Sequence, residues 1–489
     1  MGATGYIGGR LAPRLLEAGH TVRCLTRQPD RFAGVPWTDR VEVVPGNALD
    51  PRTLGPAMDG IDVVYYLVHS IGNGSDFASS DRAAARNTAA AAAASGVGRI
   101  VYLGGLVPEG EEASPHLASR AEVGQCFLDG SVPAVVLQAG VIIGSGSASF
   151  EMLRYLTERL PVMVTPTWVR SLVQPIAVRD VLTYLERCLD LPADTNRRFD
   201  IAGPDVVSYR DMMQRYARVA GLKPHVIIPV PVLSPWLSSQ WVNVVTPVPK
   251  AIAQPLIESL RNNAVAHEHD IEDLIPLELC PFDDAVRLAL ERIGHADVET
   301  RWSSAEWPGA PSDPMPTDPD WAGGTAYRDE RSLRVRASAS ALWRAVEGIG
   351  GARGWYSFPL AWAVRGLMDR LVGGVGLRRG RRDPDRVFVG DAVDFWRVEA
   401  VEPQRLLRLR AEMKLPGRAW LEFSIDATDP EWPTLHQKAL FIPRGLAGHA
   451  YWRAISPFHH VVFGSMIANL AAAATDREEE GRWVPAPMS

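Results

Sequence analysis

Short apolar segments alternate with amphipathic segments over the first 145 residues, and this alternation constrains the fold more than any other feature of the chain. The predicted strands are His20–Arg27, Val41–Asn47, Asp62–Ser70, Arg99–Gly105 and Ala134–Gly144. The predicted helices are Tyr6–Ala18, which precedes the first strand, and Asp81–Ser95 and Leu117–Leu128, which lie between later strands. Strands that alternate with helices form βαβ units, and their strands lie parallel. The pattern therefore predicts an α/β fold built on a doubly wound parallel sheet.

Three glycines at the start of the chain occupy the turn before the first predicted helix. Gly2, Gly5 and Gly8 have the spacing G-x-x-G-x-x-G. In a βαβ unit such glycines form a tight turn, let the backbone approach a pyrophosphate, and let the helix pack closely on a strand. Free amides and the helix dipole then favour phosphate. An ordinary strand-to-helix turn is the alternative, but the βαβ context favours a Rossmann-like dinucleotide-binding domain.

Several further segments follow in an order that is found in one enzyme family. GATGYIGGRL, LTR, GNALD, YYLVHS and RIVYLGGL resemble an atypical short-chain dehydrogenase/reductase of the extended, NmrA-like kind, over about residues 1–290. The resemblance implies that Asn47 and Ala48 flank the adenine and that Leu67, Val68 and His69 lie towards the nicotinamide ribose. The full predicted set of cofactor-binding residues is Gly2, Thr4, Gly5, Tyr6, Ile7, Gly8, Arg27, Asn47, Ala48, Leu67, Val68, His69, Gln138, Gly140 and Val141.

The end of the second strand of such a unit selects between the two nicotinamide cofactors. An acid there binds the ribose 2′-hydroxyl of NAD, whereas an arginine accommodates the 2′-phosphate of NADP. This chain has Arg27, with Arg31 close behind and no acid before Asp30. A solvated surface arginine is the alternative interpretation, but a planar guanidinium suits a phosphate dianion. The sequence therefore favours NADP(H) over NAD(H).

The catalytic motif of the family is altered in this chain. Family members that reduce carbonyls use a Tyr-x-x-x-Lys pair, and the matching positions here are His116 and Arg120, which are the predicted catalytic residues. An imidazole can donate a proton near neutral pH, but a guanidinium cannot lose one. The alternative is that His116 caps a helix and Arg120 is a structural cofactor contact. The sequence thus supports cofactor binding better than turnover.

Residues 146–299 are predicted to form the substrate-side region of the same unit. GSGSASFEMLRYLTERLP reads as a loop that enters a helix, and VQPIAVRDVLTYLERCL reads as a strand followed by a helix whose first turn contains Asp180. The resemblance implies that these segments fold over the nicotinamide. Trp236 and Trp241 lie in an apolar, proline-rich stretch. Burial explains them most simply, and a pocket lining or a peripheral membrane-facing patch is the alternative.

A composition change separates a second domain from the first. Residues 300–325 are rich in Pro, Asp, Ser and Gly and are predicted to be a linker. Over residues 326–480 we predict a strand (Thr325–Ala337), a helix capped by Ser338, four more strands, and a long helix (His449–Ala474). This order resembles the α+β helix-grip fold of START and polyketide-cyclase (SRPBCC) domains, which commonly enclose an apolar ligand.

Aromatic residues and a histidine pair in this second domain have simple explanations. Trp343, Trp355, Trp362, Trp396, Trp420 and Trp452 could line a cavity, but core packing explains most of them. His459 and His460 do not predict a metal site, because adjacent residues on a helix point apart.

Composition limits the classes of partner. A net charge of −6 argues against a nucleic-acid partner, and the chain contains no apolar run of the ~20 residues that a membrane helix needs. The four cysteines are widely spaced, which suits a reducing compartment, and no signal peptide is visible. We expect a cytoplasmic protein with a small apolar substrate or ligand.

Two functions remain open at this point. One is an NADP-dependent oxidoreductase that acts on an apolar carbonyl, enone or quinone-like compound. The other is a non-catalytic NADP(H)-binding redox sensor or assembly factor. A further expectation concerns Met1, which stands where related sequences carry the end of a first strand, so we expect the natural product to begin upstream.

Overall fold

The computed structural model describes residues 1–32, 35–68, 77–108, 113–160, 162–165, 167–229, 250–259, 262–296, 325–357, 383 and 386–482. The chain divides into two compact units, Met1–Gly324 and Thr325–Ser489. His69, Trp236, Trp241 and Trp362 lie outside the described residues, as does the predicted linker up to residue 324.

The strands of the first unit are mostly short and mostly parallel. They are β1 (Arg23–Thr26), β2 (Glu42–Pro45), β3 (Val63–Tyr66), β4 (Arg99–Gly105), β5 (Ala134–Ala139), β6 (Ile142–Ile143), β7 (Val162–Thr165), β8 (Leu172–Val173), β9 (Ile176–Ala177), β10 (Arg197–Ile201), β11 (Val207–Ser208) and β12 (Val226–Pro229). The central sheet has the order β10-β5-β4-β3, and all of its neighbours are parallel. Strands β1 and β2 form a separate parallel pair.

Helices of the first unit cover both faces of this sheet. They are α1 (Tyr6–Glu17), α2 (Leu54–Met58), α3 (Phe77–Ala94), α4 (Pro115–Leu128), α5 (Ala148–Arg159), α6 (Val178–Arg187), α7 (Tyr209–Val219), α8 (Lys250–Ser259), α9 (Asp270–Leu274) and α10 (Phe282–Ala296). Along β4, Ile100 and Tyr102 pack with α3 and α4, whereas Val101 and Leu103 pack with α1 and α6. Burial on two faces explains the continuous apolar run of this strand.

Met1 lies beside the carboxyl end of β3. Its amino group donates a hydrogen bond to the Tyr65 carbonyl oxygen (2.8 Å), and its own carbonyl oxygen accepts one from the Leu67 N–H (3.2 Å). Within the described residues, no ladder of hydrogen bonds joins the β1–β2 pair to the central sheet. The glycine turn therefore begins directly at the carboxyl end of β3.

The second unit is an antiparallel sheet covered by helices on one face. Its elements are β13 (Tyr327–Arg334), α11 (Ala339–Glu347), β14 (Ala392–Val393), β15 (Trp396–Glu402), β16 (Leu406–Ala411), β17 (Gly417–Asp426), β18 (Thr434–Pro443) and α12 (Gly445–Arg482). The strand order is β13-β18-β17-β16-β15-β14. Leu342 and Val346 of α11 and Leu470 of α12 share one core with Leu421 and Phe423 of β17.

The predicted α/β class with a doubly wound parallel sheet is confirmed, and so is Ser338 as the cap of α11, since its hydroxyl accepts a hydrogen bond from the Ala341 N–H (3.3 Å). The single predicted strand Ala134–Gly144 is wrong, because the chain breaks at Gly140 into β5 and β6. A β-carbon at Gly140 would overlap the Gln174 carbonyl oxygen, so two backbone segments meet there. No helix in the described part of the chain combines the length and apolar character needed to cross a bilayer.

Candidate dinucleotide site

A cavity of about 750 Å³ opens at the carboxyl ends of the parallel strands. Its wall contains residues that directly follow β1 to β5: Arg27 and Gln28 after β1, Gly46 to Leu49 after β2, Leu67 and Val68 after β3, Leu106 after β4, and Gly140 and Val141 after β5. Open α/β sheets bind their ligands at this edge, where the strand order reverses. The position of the cavity is therefore the one that the fold predicts for a nucleotide.

The glycine turn forms one end of this cavity. Gly2 has a positive φ of 85°, a conformation that favours glycine, and a β-carbon at Gly8 would overlap the Gly2 carbonyl oxygen. Gly5 is the N-cap of α1 and has no side chain to bond the first-turn amides, and the first turn carries no acid. Gly5 and Gly8 both line the cavity. The positive end of α1 therefore faces the cavity without an acidic side chain to neutralise it.

The loops after β1 and β2 provide a basic and a polar wall. Arg27 and Arg31 line the cavity with exposed side chains. Asn47 holds the β2 loop, because its side-chain oxygen accepts a hydrogen bond from the Leu49 N–H (3.1 Å). The Asn87 side chain of α3 donates to the Ala48 carbonyl oxygen (3.1 Å), which fixes the same loop from the other side. Two cationic side chains thus stand beside a rigid loop.

Helix α4 brings His116 and Arg120 to the cavity. Ser114 caps this helix, accepting a hydrogen bond from the Leu117 N–H (3.3 Å), so the interpretation of His116 as the cap is wrong. His116 is buried and sits in the first turn, while Arg120 lies one turn later. The Arg120 Nη2 donates to the Leu103 carbonyl oxygen (2.8 Å), and its buried Nε has no partner among the described residues. Arg120 is therefore anchored to the end of β4.

Asp81 is a cavity residue that the sequence motifs do not identify. It lies on α3, lines the cavity and is only 8% exposed. Ser119 of α4 donates a long hydrogen bond (3.5 Å) to its Oδ2. A signal for it exists in the sequence: Asp81, Ala85, Thr88 and Ala92 form the buried stripe of α3 at helical spacing. A charged residue on such a buried stripe is unusual.

Burial shifts the pKa of two core tyrosines on β3 and β4, Tyr66 and Tyr102. Desolvation raises the pKa of Tyr66 and of Tyr102 above the usual value of a phenol. The negative charge of Asp81 raises both pKa values further, while the positive charge of Arg120 opposes the shift of Tyr102. The Tyr102 hydroxyl donates to the Arg120 carbonyl oxygen (3.2 Å). Both tyrosine side chains are therefore neutral at neutral pH.

An apolar arm extends the cavity away from the glycine turn. We define this arm by residues of α5, α7 and α8: Met152, Leu153, Leu156, Tyr209, Met212, Met213, Leu256 and Ile257. Ser259 of α8 and Ser114 of α4 share a hydrogen bond of 2.9 Å between their hydroxyls. The arm is therefore tied directly to the helix that carries His116. Its methionines are flexible and polarisable, which suits an apolar body of irregular shape.

A buried ion pair fixes the loop between the two parts of the cavity. Glu151 and Arg154 of α5 are fully buried and hydrogen-bonded to each other. Glu151 also accepts a hydrogen bond from the Gly146 N–H (2.7 Å), and Gly146 lines the cavity. Among the described residues there is no cluster of three His, Cys, Asp or Glu side chains that could hold a metal ion.

Nearly all of the site residues that the sequence predicts line the cavity. The members that line it are Gly2, Thr4, Gly5, Tyr6, Ile7, Gly8, Arg27, Asn47, Ala48, Leu67, Val68, His116, Arg120, Gly140 and Val141. Gln138 does not line it and lies in β5, paired with Gly104 and Asp200. His69 lies outside the described residues.

Comparison with known families agrees with this geometry. Residues 2–125 match a family described as NAD(P)H-binding, and residues 321–466 match a family described as "Protein of unknown function (DUF2867)". The first match contains the glycine turn and the ends of β1 to β4. The first unit therefore contains an NAD(P)H-binding domain with a Rossmann-like parallel sheet.

The matches to solved structures cover almost the whole of each solved chain but only about three-fifths of this chain. Triphenylmethane reductase from Citrobacter sp. is 21% identical with a TM-score of 0.49, and the match covers 59% of this chain and 98% of that one. The same reductase in complex with NADP(H) has a TM-score of 0.48 at 21% identity, with the same coverage. A nucleoside-diphosphate-sugar epimerase from Staphylococcus aureus is 14% identical with a TM-score of 0.48, and the match covers 58% of this chain and 98% of that one. No curated protein matches the chain.

Proposed function

We propose that this protein is an NADP(H)-dependent oxidoreductase of the extended, NmrA-like short-chain dehydrogenase/reductase type, and that it acts on an apolar carbonyl, enone or quinone-like small molecule. One observation carries the proposal: a single cavity joins the glycine turn and two arginines to an apolar arm, with His116 lining the same wall. A phosphate-binding end and an apolar end in one space suit a dinucleotide and an apolar substrate held side by side.

Different residues of the chain bind different parts of the cofactor. The first-turn amides of α1 bind the pyrophosphate, and Arg27 with Arg31 holds the 2′-phosphate. When bound, the reduced nicotinamide supplies a hydride. His116 donates a proton to the oxygen of the reduced carbonyl, and Arg120, anchored on the Leu103 carbonyl, holds the ribose or phosphate side of the cofactor.

A second candidate is a non-catalytic NADP(H)-binding redox sensor or assembly factor. It is favoured by the replacement of the Tyr-x-x-x-Lys pair by His116 and Arg120. It is also favoured by the absence of a hydroxyl residue in the segment LGGLVPEG, which contains the end of β4 and the residues after it. In this case the cavity binds the cofactor, and the apolar arm binds a ligand without turning it over.

We further propose that changes in sequence pattern and composition along the chain mark the domain boundaries. Residues 1–145 bind the dinucleotide, and residues 146–299 bind the substrate. Residues 326–480 form a helix-grip domain of the SRPBCC type that holds an apolar ligand. Six antiparallel strands packed on the long helix α12 support the last assignment. Four cysteines without a disulfide support a cytoplasmic location.

The decisive experiment measures binding and turnover separately. NADPH and NADH affinity is determined by fluorescence titration, and NADPH oxidation is then followed against a panel of quinones, enones and aldehydes. Oxidation that depends on both protein and acceptor supports the oxidoreductase. Tight NADPH binding without oxidation across the whole panel supports the sensor instead, and absence of NADPH binding contradicts both.

A further inference from the structure

The long helix α12 has an apolar stripe on the side that faces away from the sheet. Its inner side packs in the core of the second unit through Phe463, Met466 and Leu470. The exposed apolar residues on its other side are spaced so that they share one helix face. The members that define this outer stripe are Leu446, Ala450, Phe458, Val461, Ala468 and Ala472. Phe458 is 71% exposed, Val461 55% and Leu446 52%.

The outer stripe has almost no charge. From Gly445 to Thr475 the sequence contains one charged residue, Arg453, with histidine counted as neutral. The exposed side of a surface helix normally has polar and charged residues. At the rise of an α-helix the stripe is about 39 Å long and roughly 10 Å wide, so its area is on the order of 400 Å². An exposed apolar patch of this size typically marks an interaction site.

We propose that the outer stripe is the interface between two copies of this chain, which pair α12 against α12 in antiparallel orientation. The stripe is symmetric about its middle. Three pairs, Phe458 and Val461, Ala450 and Ala468, and Leu446 and Ala472, are centred on the same point of the helix to within one residue. A two-fold axis at that point sets Phe458 against Val461 of the partner subunit. The large side chains then meet at the centre, and the alanines on both sides let the two helices lie close.

The position of the single charge favours the antiparallel orientation. A parallel pair would place the two Arg453 side chains opposite each other. An antiparallel pair about the same axis separates them by about 13 residues, or about 20 Å along the helix, where salt screens their repulsion. The dipoles of the two helices also oppose each other favourably only in this orientation.

A lipid bilayer fits the outer stripe less well than a second copy does. Helices that lie in a membrane interface have many Lys and Arg residues along their polar side. This stretch of α12 has only Arg453, and the whole chain has a net charge of −6, which anionic lipids repel. A second copy needs no such charges.

The area of the outer stripe sets the expected affinity. Stable dimers of standard size bury about 800 Å² on each partner, and the stripe supplies about half of that. We therefore expect a weak dimer, with a Kd of about 10–100 μM.

Sedimentation equilibrium on the full chain, from about 1 to 300 μM, tests this interface. The weight-average mass of the wild type is expected to rise with concentration. Phe458→Asp is expected to weaken this association at least about tenfold, because its carboxylate would have to leave water at the centre of the interface. Phe388→Asp is the matched control and is expected to associate like the wild type, since Phe388 is 59% exposed and lies outside α12.

Disulfide cross-linking tests the orientation. Ala454 and Ser465 are centred on the same axis, so Cys at one position should meet Cys at the other position of the partner. Ala454→Cys and Ser465→Cys are expected to cross-link when the two variants are mixed and oxidised. Neither is expected to cross-link alone, because identical positions lie about 16 Å apart along the helix, too far for a disulfide. Oxidised wild type, with its four free cysteines, gives the background.

Three results overturn the proposal. The first is a wild type whose mass stays constant at the monomer value over the whole range. If such a monomer co-sediments with phosphatidylglycerol vesicles, the stripe binds a bilayer instead. The second is association that Phe458→Asp leaves unchanged. The third is a mixture of the two cysteine variants that forms no more cross-link than either variant alone, and this result does not depend on the folding of Phe458→Asp.

Discussion

Gly8 packs directly against the carbonyl oxygen of Gly2, so closely that no β-carbon fits between them. Gly5 has a different environment, because a β-carbon there would meet only the Gly2 carbonyl oxygen, at 3.2 Å, and would otherwise face the cavity. Two glycines of one motif therefore have separate roles. Gly8 closes the turn, and Gly5 keeps space for the ligand.

Alanine substitution is expected to separate these roles. Gly8→Ala forces the turn apart and is expected to lower the free energy of unfolding by about 1–3 kcal/mol. Gly5→Ala is expected to lower the melting temperature less than Gly8→Ala and to weaken NADPH binding at least about tenfold, because the methyl group occupies the phosphate position. Thermal melts and fluorescence titration measure the two effects. A Gly5→Ala protein with wild-type NADPH affinity would show that the phosphates lie elsewhere.

Arg27 is expected to determine the preference for NADPH. Arg27→Ala removes a charge-assisted contact with the 2′-phosphate and is expected to weaken NADPH binding roughly 10- to 100-fold, with NADH binding unchanged. Arg40→Ala, at an exposed position that does not line the cavity, is the control and is expected to change neither affinity. Equal affinity of wild type for the two cofactors would contradict the assignment of NADP.

His116 is expected to contribute to the rate of carbonyl reduction and not to cofactor binding. His116→Phe keeps the shape of the buried side chain and is expected to leave NADPH affinity nearly unchanged. It is expected to reduce the rate of carbonyl reduction by about 10²–10⁴-fold, the usual contribution of a general acid. Stopped-flow measurement of NADPH oxidation decides this. Full carbonyl reductase activity in the variant would exclude His116 as the proton donor.

His459 is expected to make the second unit sensitive to acid. Burial lowers the pKa of His459 to about 4; Asp329 opposes this shift, and Arg331 adds to it. The unfolded chain, with an ordinary pKa near 6.5, binds the proton more readily, so the second unit loses stability as the pH falls from about 6.5 towards 4. The loss approaches about 3 kcal/mol.

Hydrogen exchange in the full chain measures this effect locally. Protection factors, which correct for the slower intrinsic exchange of amides at low pH, are expected to fall in β18 as the pH is lowered in wild type, because β18 packs against α12. His459→Gln is expected to flatten this dependence. Exchange in β4 of the first unit provides an internal reference. An identical pH dependence in wild type and variant would contradict the role of His459.

Residues 325–480 are expected to fold without the rest of the chain. Their core is self-contained, since the sheet, α11 and α12 share one hydrophobic cluster. A fragment of these residues is expected to show mixed helix and strand signals in circular dichroism and a cooperative melt. A fragment that stays unfolded would show that the proposed boundary is misplaced.

The alternation of short apolar segments with amphipathic segments predicts the parallel sheet, because strands and helices each have a characteristic spacing of apolar residues. The predicted strand Arg99–Gly105 has the same limits in the structure. The break at Gly140 depends on the close approach of Gln174, which lies far away in sequence, and so no local pattern reports it. The apolar arm is likewise assembled from three distant helices. The sequence motifs do not single out Asp81, because an acid near a predicted helix start usually indicates a solvated end.

The distance along the chain between the two parts of the cavity also has a consequence for synthesis. The residues that line the cofactor half have all been made by residue 142, but the last lining residue of the cavity, Ala264, follows 122 residues later. At the usual rate of translation this interval lasts roughly 6 to 24 seconds. During that time the nascent chain presents the methionine and leucine side chains of α5 to solvent without their partners on α7 and α8. The newly made protein therefore passes through an aggregation-prone stage, and a chaperone protects it best before the arm is closed.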